Sequence, residues 1–198
     1  MKQILFVDAC MRGPEASRTA RLCRRFLAEY AALDPETRVL RRDLTGAELP
    51  VLTDRLSRER DELARTGADS PLLEPAREVA GADLIVVGAP YWDLSFPAAL
   101  KVYLEWASCL GITFRYTQEG VQVGMSRARH LVYLTTGGGP VLAQNLGYDY
   151  LRAWAAMMGV GDTLCLAVEN LDIQGADVEA ILSRAEEKIP ALARRAAG

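Results

Sequence analysis

Three short stretches carry groups suited to holding a charged, flat ligand. Ser17, Arg18 and Thr19 place two hydroxyls and a guanidinium at the expected start of a helix. Free N–H groups and the helix dipole favour an anion there, and this donor set suits a phosphate. Taken alone, the simpler reading is an N-cap at Ser17 and a solvated charge at Arg18. The second stretch, Pro90-Tyr-Trp-Asp-Leu-Ser-Phe96, carries three aromatics directly after an apolar run. Its rings suit a flat ligand, although Trp92 or Phe96 alone fits core packing better. The third stretch, Thr135-Thr-Gly-Gly-Gly139, follows another apolar run. Its glycines let backbone approach a ligand closely, and a flexible turn is the equal alternative.

For these stretches to meet, the elements before them must be parallel neighbours. The runs 3–8, 84–89, 130–136 and 162–168 are short, apolar and mostly rich in β-branched residues. Runs 3–8 and 84–89 have the pattern of strands buried on both faces, 130–136 reads as the next core strand and 162–168 as the last strand. Residues 37–44 are more polar and belong nearer an edge. Helical spacing separates the strands. It appears at Leu22, Phe26, Leu27 and Tyr30 after a Ser17 cap, and again at 72–80. It recurs at Leu100, Tyr103, Leu104 and Ala107, with Ser95 as cap and Pro97 in the first turn. Two further helices are expected at 144–158 and 177–197, the second bent at Pro190. Residues 50–69 read as a charged surface helix or excursion. Residues 112–117 and 121–123 around Gln118-Glu-Gly120 read as an inserted hairpin.

This alternation predicts an α/β fold. It is a doubly wound, five-stranded parallel sheet of order 2-1-3-4-5 with helices on both faces, in one domain spanning 1–198. Parallel strands share a direction, so the loops after the first, third and fourth core strands fall at one edge. A phosphate pocket, a flat-ring loop and a backbone-donor loop at one edge point to flavin mononucleotide (FMN).

Composition narrows the alternatives. The net charge of −3 argues against a general nucleic-acid or membrane-surface role. No apolar stretch has bilayer length, and no signal peptide opens the chain. Cys10, Cys23, Cys109 and Cys165 are scattered with no Cys-x-x-Cys pair. That fits reduced thiols in a cytoplasm rather than a metal site, with Cys23, Cys109 and Cys165 as buried apolar side chains. A dinucleotide-binding Rossmann domain would need Gly-x-Gly-x-x-Gly after the first strand, which residues 8–19 lack. A phospho-receiver domain would need clustered acids there, and Asp8 stands alone. His130, the only histidine, reads as a structural strand-end residue.

The chain resembles the flavodoxin-like, FMN-dependent NAD(P)H oxidoreductases: azoreductases and NAD(P)H:quinone reductases. The resemblance rests on Ala89-Pro-Tyr-Trp-Asp-Leu94, Phe96-Pro-Ala-Ala-Leu-Lys101 and Gly111-Ile-Thr-Phe-Arg-Tyr-Thr-Gln-Glu-Gly120. Family members carry a Pro-Met-Tyr-Asn-Phe-like loop, a Leu-Lys helix and a Gly-x-Thr-Phe-x-Tyr-Thr-x-x-Gly hairpin. The resemblance implies that Ser17, Arg18 and Thr19 hold the FMN phosphate. Cys10 stands where azoreductases usually have serine. The ring would lie on Pro90, Tyr91, Trp92, Asp93 and Leu94. Its pyrimidine end would meet Thr135, Thr136, Gly137, Gly138 and Gly139. No side chain is assigned a catalytic role, since the reactive centre would be the flavin.

Implied activity is ping-pong hydride transfer from NADH or NADPH to a small quinone-like or azo acceptor. The alternative is an FMN electron carrier like flavodoxin. A cytoplasmic homodimer is expected, with Ile112, Phe114 and Tyr116 forming an apolar face on the hairpin. The sequence departs from the family pattern at Tyr91-Trp-Asp-Leu94, where Asp93 replaces a neutral amide. Gly137 replaces an arginine found in several azoreductases. Thr19→Ala is expected to weaken FMN binding without unfolding the protein.

Overall fold

A computed structural model describes residues 1–46 and 49–198. Five parallel strands form the central sheet: β1 (Gln3–Asp8), β2 (Arg38–Asp43), β3 (Leu84–Gly88), β6 (His130–Thr136) and β7 (Asp162–Val168). Their order is β2-β1-β3-β6-β7. Numbered among themselves the five run 2-1-3-4-5, as the sequence pattern predicts. The intervening numbers belong to the inserted antiparallel hairpin, β4 (Phe114–Tyr116) and β5 (Gln122–Gly124).

Side chains alternate across each strand, so the buried runs feed two cores. Leu5, Val7, Ile85, Val87, Leu131 and Tyr133 face α4 (Glu74–Gly81), α5 (Ala98–Ala107) and α6 (Leu146–Met158). Ile4, Phe6, Leu84, Val86, Val132 and Leu134 face the opposite layer. That layer contains α2 (Arg18–Leu33), α7 (Val178–Glu186) and α8 (Ile189–Ala197). Arg21 of α2 ties the layer together, bonding the carboxylates of Glu179 and Glu186 at 2.7–2.9 Å. Among the described residues, no helix is long and apolar enough to cross a membrane.

Several local expectations change. The loop after β1 contains a short helical turn, α1 (Gly13–Ala16). The charged segment forms α3 (Asp54–Thr66), which Arg60 anchors by donating to the Glu105 carbonyl at 3.0 Å. A 3₁₀ turn (Pro71–Leu73) precedes α4. Residues 178–197 form two helices, because Pro190 cannot bond back into the preceding turn and opens α8 instead. Pro97 is the residue before α5, and Ser95 does not cap that helix. Ile112 and Phe114 pack inward, leaving Tyr116 as the exposed member of the expected apolar face. Cys165 is only half-buried, because it lies on an edge strand.

Candidate functional site

The strand ladder continues into the loops at the carboxyl edge. The N–H of Ala9 bonds the Gly88 carbonyl at 2.8 Å, Ala89 bonds Leu134 at 3.2 Å, and Tyr91 bonds Thr136 at 2.9 Å. Gly137 bonds Val168 at 2.8 Å. The three loops are therefore fixed relative to one another by backbone. Buried Asp8 orients the first of them, accepting from the Cys10 N–H at 3.0 Å and from Arg41 at 2.7–3.0 Å.

Between the loops lies a cleft of ≈ 220 Å³. Ser17, Arg18 and Thr19 wall one end. Pro90, Tyr91 and Trp92 form a second wall, and Thr136, Gly137 and Gly138 a third. Ser17 caps α2, its Oγ accepting from the Ala20 N–H at 3.1 Å. The N–H groups of Arg18 and Thr19 have no acceptor within their own helix, so that end presents free donors. Thr19 is buried, and its hydroxyl meets that of Thr136 at 2.7 Å.

Other residues picked from the sequence sit off the cleft. Cys10 is buried, with its thiol near the Gly88 carbonyl. Gly88 has no room for a side chain because Cys23 Sγ is 2.5 Å from where its Cβ would lie. Burial pushes the Cys23 thiol well up from its ordinary value, making it a poor nucleophile. Asp93 and Leu94 form the tip of a tight turn and point outward into solvent. Thr135 is fully buried, with its hydroxyl unpartnered. Gly139 lies beyond the lining residues, and its carbonyl accepts from the Asn170 N–H at 3.1 Å.

Three lining residues have no counterpart in the sequence reading: Arg12, Leu171 and Asp172. The last two belong to the segment after β7, which clasps the glycine loop. The N–H of Leu171 bonds the Gly137 carbonyl at 3.2 Å, and that of Asp172 bonds Gly138 at 2.9 Å. Glu169 accepts from the N–H groups of Val141 and Leu142 at 2.7 and 3.0 Å. Those two donors hold its carboxyl below the usual range. Gly137 and Gly138 are crowded, whereas Gly139 has open space around it. A Cβ on Gly137 would lie 2.3 Å from Val141 Cγ2, and one on Gly138 would lie 2.3 Å from Asp172 Oδ2.

A five-stranded 2-1-3-4-5 sheet with a cleft outside its carboxyl ends is the architecture of one widespread group. The family model described as "Flavodoxin-like fold" matches residues 2–192. The chain belongs to the flavodoxin-like family. Among its flavodoxin-like relatives is FMN-dependent NADH:quinone oxidoreductase 2 of Clostridium acetobutylicum. The two are 33% identical over 193 residues, covering 95% of this chain and 96% of the relative. FMN-dependent NADH:quinone oxidoreductase of Clostridium perfringens is 32% identical over 198 residues, covering 98% of this chain and 100% of the relative. Azoreductase from Bacillus anthracis superposes with a TM-score of 0.83 at 25% identity, covering 98% of this chain and 100% of that one.

Proposed function

We propose that this protein is an FMN-dependent NAD(P)H oxidoreductase acting on quinone-like or azo acceptors. The carrying observation is the cleft, where free donors of a helix N-terminus face a glycine loop across a gap walled by aromatics. The names of the relatives support the same reading. Bound FMN would supply the two-electron chemistry, taking hydride from the nicotinamide and passing it on.

The residues fit that group. Ser17, Arg18 and Thr19 would take the phosphate, because the α2 terminus offers unpaired N–H donors beside a guanidinium and hydroxyls. Tyr91 and Trp92 would border the ring, with Tyr91 braced by its hydroxyl donating to the Gln144 carbonyl at 2.8 Å. The N–H of Gly137 is committed to Val168. We therefore assign negative charge at the pyrimidine end to the Gly138 and Gly139 N–H groups. Cys10, Asp93, Leu94 and Thr135 would shape the site from behind or from its rim. No side chain need exchange a proton with the substrate.

We further propose a cytoplasmic homodimer of one-domain protomers spanning 1–198. All four cysteines are unpaired, in keeping with a reducing compartment. Trp92 lines the cleft, Leu94 follows it in the same loop, and Leu146 is bonded to Leu94; all three are exposed apolar residues. A patch of that kind suits burial against a second copy.

The test is stopped-flow absorbance of the FMN-loaded protein. NADH or NADPH is expected to bleach the flavin band, and a soluble quinone to restore it without a one-electron phase. If FMN binds and neither nucleotide bleaches it, the electron-carrier alternative replaces this reading.

A further inference from the structure

At its N-terminus α2 carries Arg18, the wrong charge for the positive end of a helix dipole. The chain itself supplies the anion that such a position wants. Asp172 Oδ1 lies 2.7 Å from Arg18 Nη1, although the two are 154 residues apart in sequence. The other oxygen of the same carboxylate hangs over Gly138, 2.3 Å from where a Cβ would lie. Backbone holds the carboxylate there, since the Asp172 N–H is bonded to the Gly138 carbonyl. Asp172 therefore spans the cleft from the phosphate end to the glycine loop.

We infer that Asp172 sets the preference of the cleft for phosphorylated over unphosphorylated flavin, by competing with the ligand phosphate for Arg18. This rests on the FMN reading given above. A phosphate arriving at the α2 terminus meets a guanidinium already neutralised by a carboxylate. It must draw Arg18 away from Asp172 or bind beside a like charge. Riboflavin has no phosphate and is indifferent to that contest. The two side chains are 32% and 60% exposed, so water screens the pair and the effect is modest.

The experiment measures dissociation constants for FMN and riboflavin by flavin fluorescence quenching, on the apoprotein and its variants. Asp172→Asn keeps the shape and removes the charge; Asp172→Ser is a second variant with a smaller side chain. Both are expected to tighten FMN about two- to fivefold, the range of a screened ion pair, with riboflavin unchanged. The gain is expected to shrink as salt rises from 20 mM to roughly 500 mM, because the Debye length shortens. If FMN binds the wild type but the variants bind it equally or more weakly, Asp172 is not a competitor and the inference falls alone. An equal change for both flavins also overturns it, because the phosphate is then irrelevant. If wild type binds neither flavin, the FMN reading falls and this inference falls with it.

Discussion

The loop after β3 and the loop after β6 wall the same cleft, and different means hold them. In the first, Trp92 and Ser95 exchange N–H···O bonds at 3.2 and 2.9 Å around a two-residue turn. Asp93 and Leu94 at the tip have φ of 48° and 65°. Neither is glycine, so the tip stores backbone strain, and one further bond, from the Leu146 N–H to the Leu94 carbonyl at 3.1 Å, ties it to α6. The glycine loop closes no such pair of its own and is held by the N–H groups of residues 170–172. An exposed turn tolerates new side chains on its rim. A clasped loop leaves no room for one at Gly137.

The largest effect expected from this difference is at Gly137. An alanine there drives its Cβ into Val141 Cγ2 with Tyr91 behind, at 2.3 and 3.4 Å. We expect Gly137→Ala to cost about 2–3 kcal/mol in urea unfolding and to weaken flavin binding. Adding Val141→Ala should return part of that stability, and a double-mutant cycle measures how much. Trp92→Ala, on the half-exposed face of the other loop, should change stability by about 0.5 kcal/mol or less. If both substitutions cost the same, the contrast between the loops is wrong.

Next comes Thr19, which joins the phosphate end to the root of the glycine loop. Its hydroxyl pairs with that of Thr136 in a buried setting. Thr19→Ala therefore leaves one hydroxyl unpartnered and should cost about 1–2 kcal/mol with no ligand present. A loss of that size still leaves a domain of ordinary stability folded, so flavin binding by the variant can be measured. Thr19→Val with Thr136→Val removes both hydroxyls and should recover most of the loss. Thermal unfolding of the wild type and the two variants decides it, and an unstable double variant would show that the pair is not the cause.

The aromatic loop gives an effect of opposite sign. Leu94→Gly relieves a left-handed residue whose side chain is 46% exposed. A gain of about 0.5–1 kcal/mol is expected, less than the strain itself because glycine also frees the unfolded chain. A loss of stability would mean that Leu94 packs more than it strains.

How much of this was legible depends on sequence distance. The sheet order could be read because three apolar runs are buried on both faces, the fourth alternates at an edge, and the crossovers have one hand. Ser17 could be read because capping is local. The break at Pro190 was half visible, since proline marks a helix start as readily as a bend. Asn145 caps α6 through its side chain, and asparagine just before an apolar helical run is a legible cap signal. The turn at Asp93-Leu94 gave none, since no glycine or asparagine marks its tip. Asp172 and Glu169 were out of reach in principle. Each acts on residues 27 or more positions away, and only the folded sheet brings β7 beside β6.

The smallest effect concerns acid, and it separates the loops by a titratable tie that only one of them has. Glu169 carries the bonds to Val141 and Leu142, whose N–H groups hold its carboxyl below the usual range. A carboxyl depressed in the folded state stabilises the fold above its unfolded pKa of about 4.3, and that contribution is lost as pH falls through the folded value. The tie on Val141 and Leu142, just past the glycine loop, should therefore loosen in acid, while the Trp92–Ser95 turn, made of backbone bonds, should not. Global melting cannot show this, because Asp43, Asp162 and Glu179 are depressed too and all weaken the fold in the same direction. Arg184, Glu187 and Lys188 line the hollow beside Glu169 and add their own charges. The readout must be local. Amide hydrogen exchange at Val141 and Leu142, corrected for intrinsic rate, is expected to quicken about two- to fivefold more than at Trp92 and Ser95 between pH 7 and pH 3.5, as befits a partly exposed charged group. Glu169→Gln keeps an acceptor without the charge, so protection there should be lower at pH 7 and nearly flat with pH. If the wild-type amides at Val141 and Leu142 follow those at Trp92 and Ser95, Glu169 is not what holds residues 141 and 142.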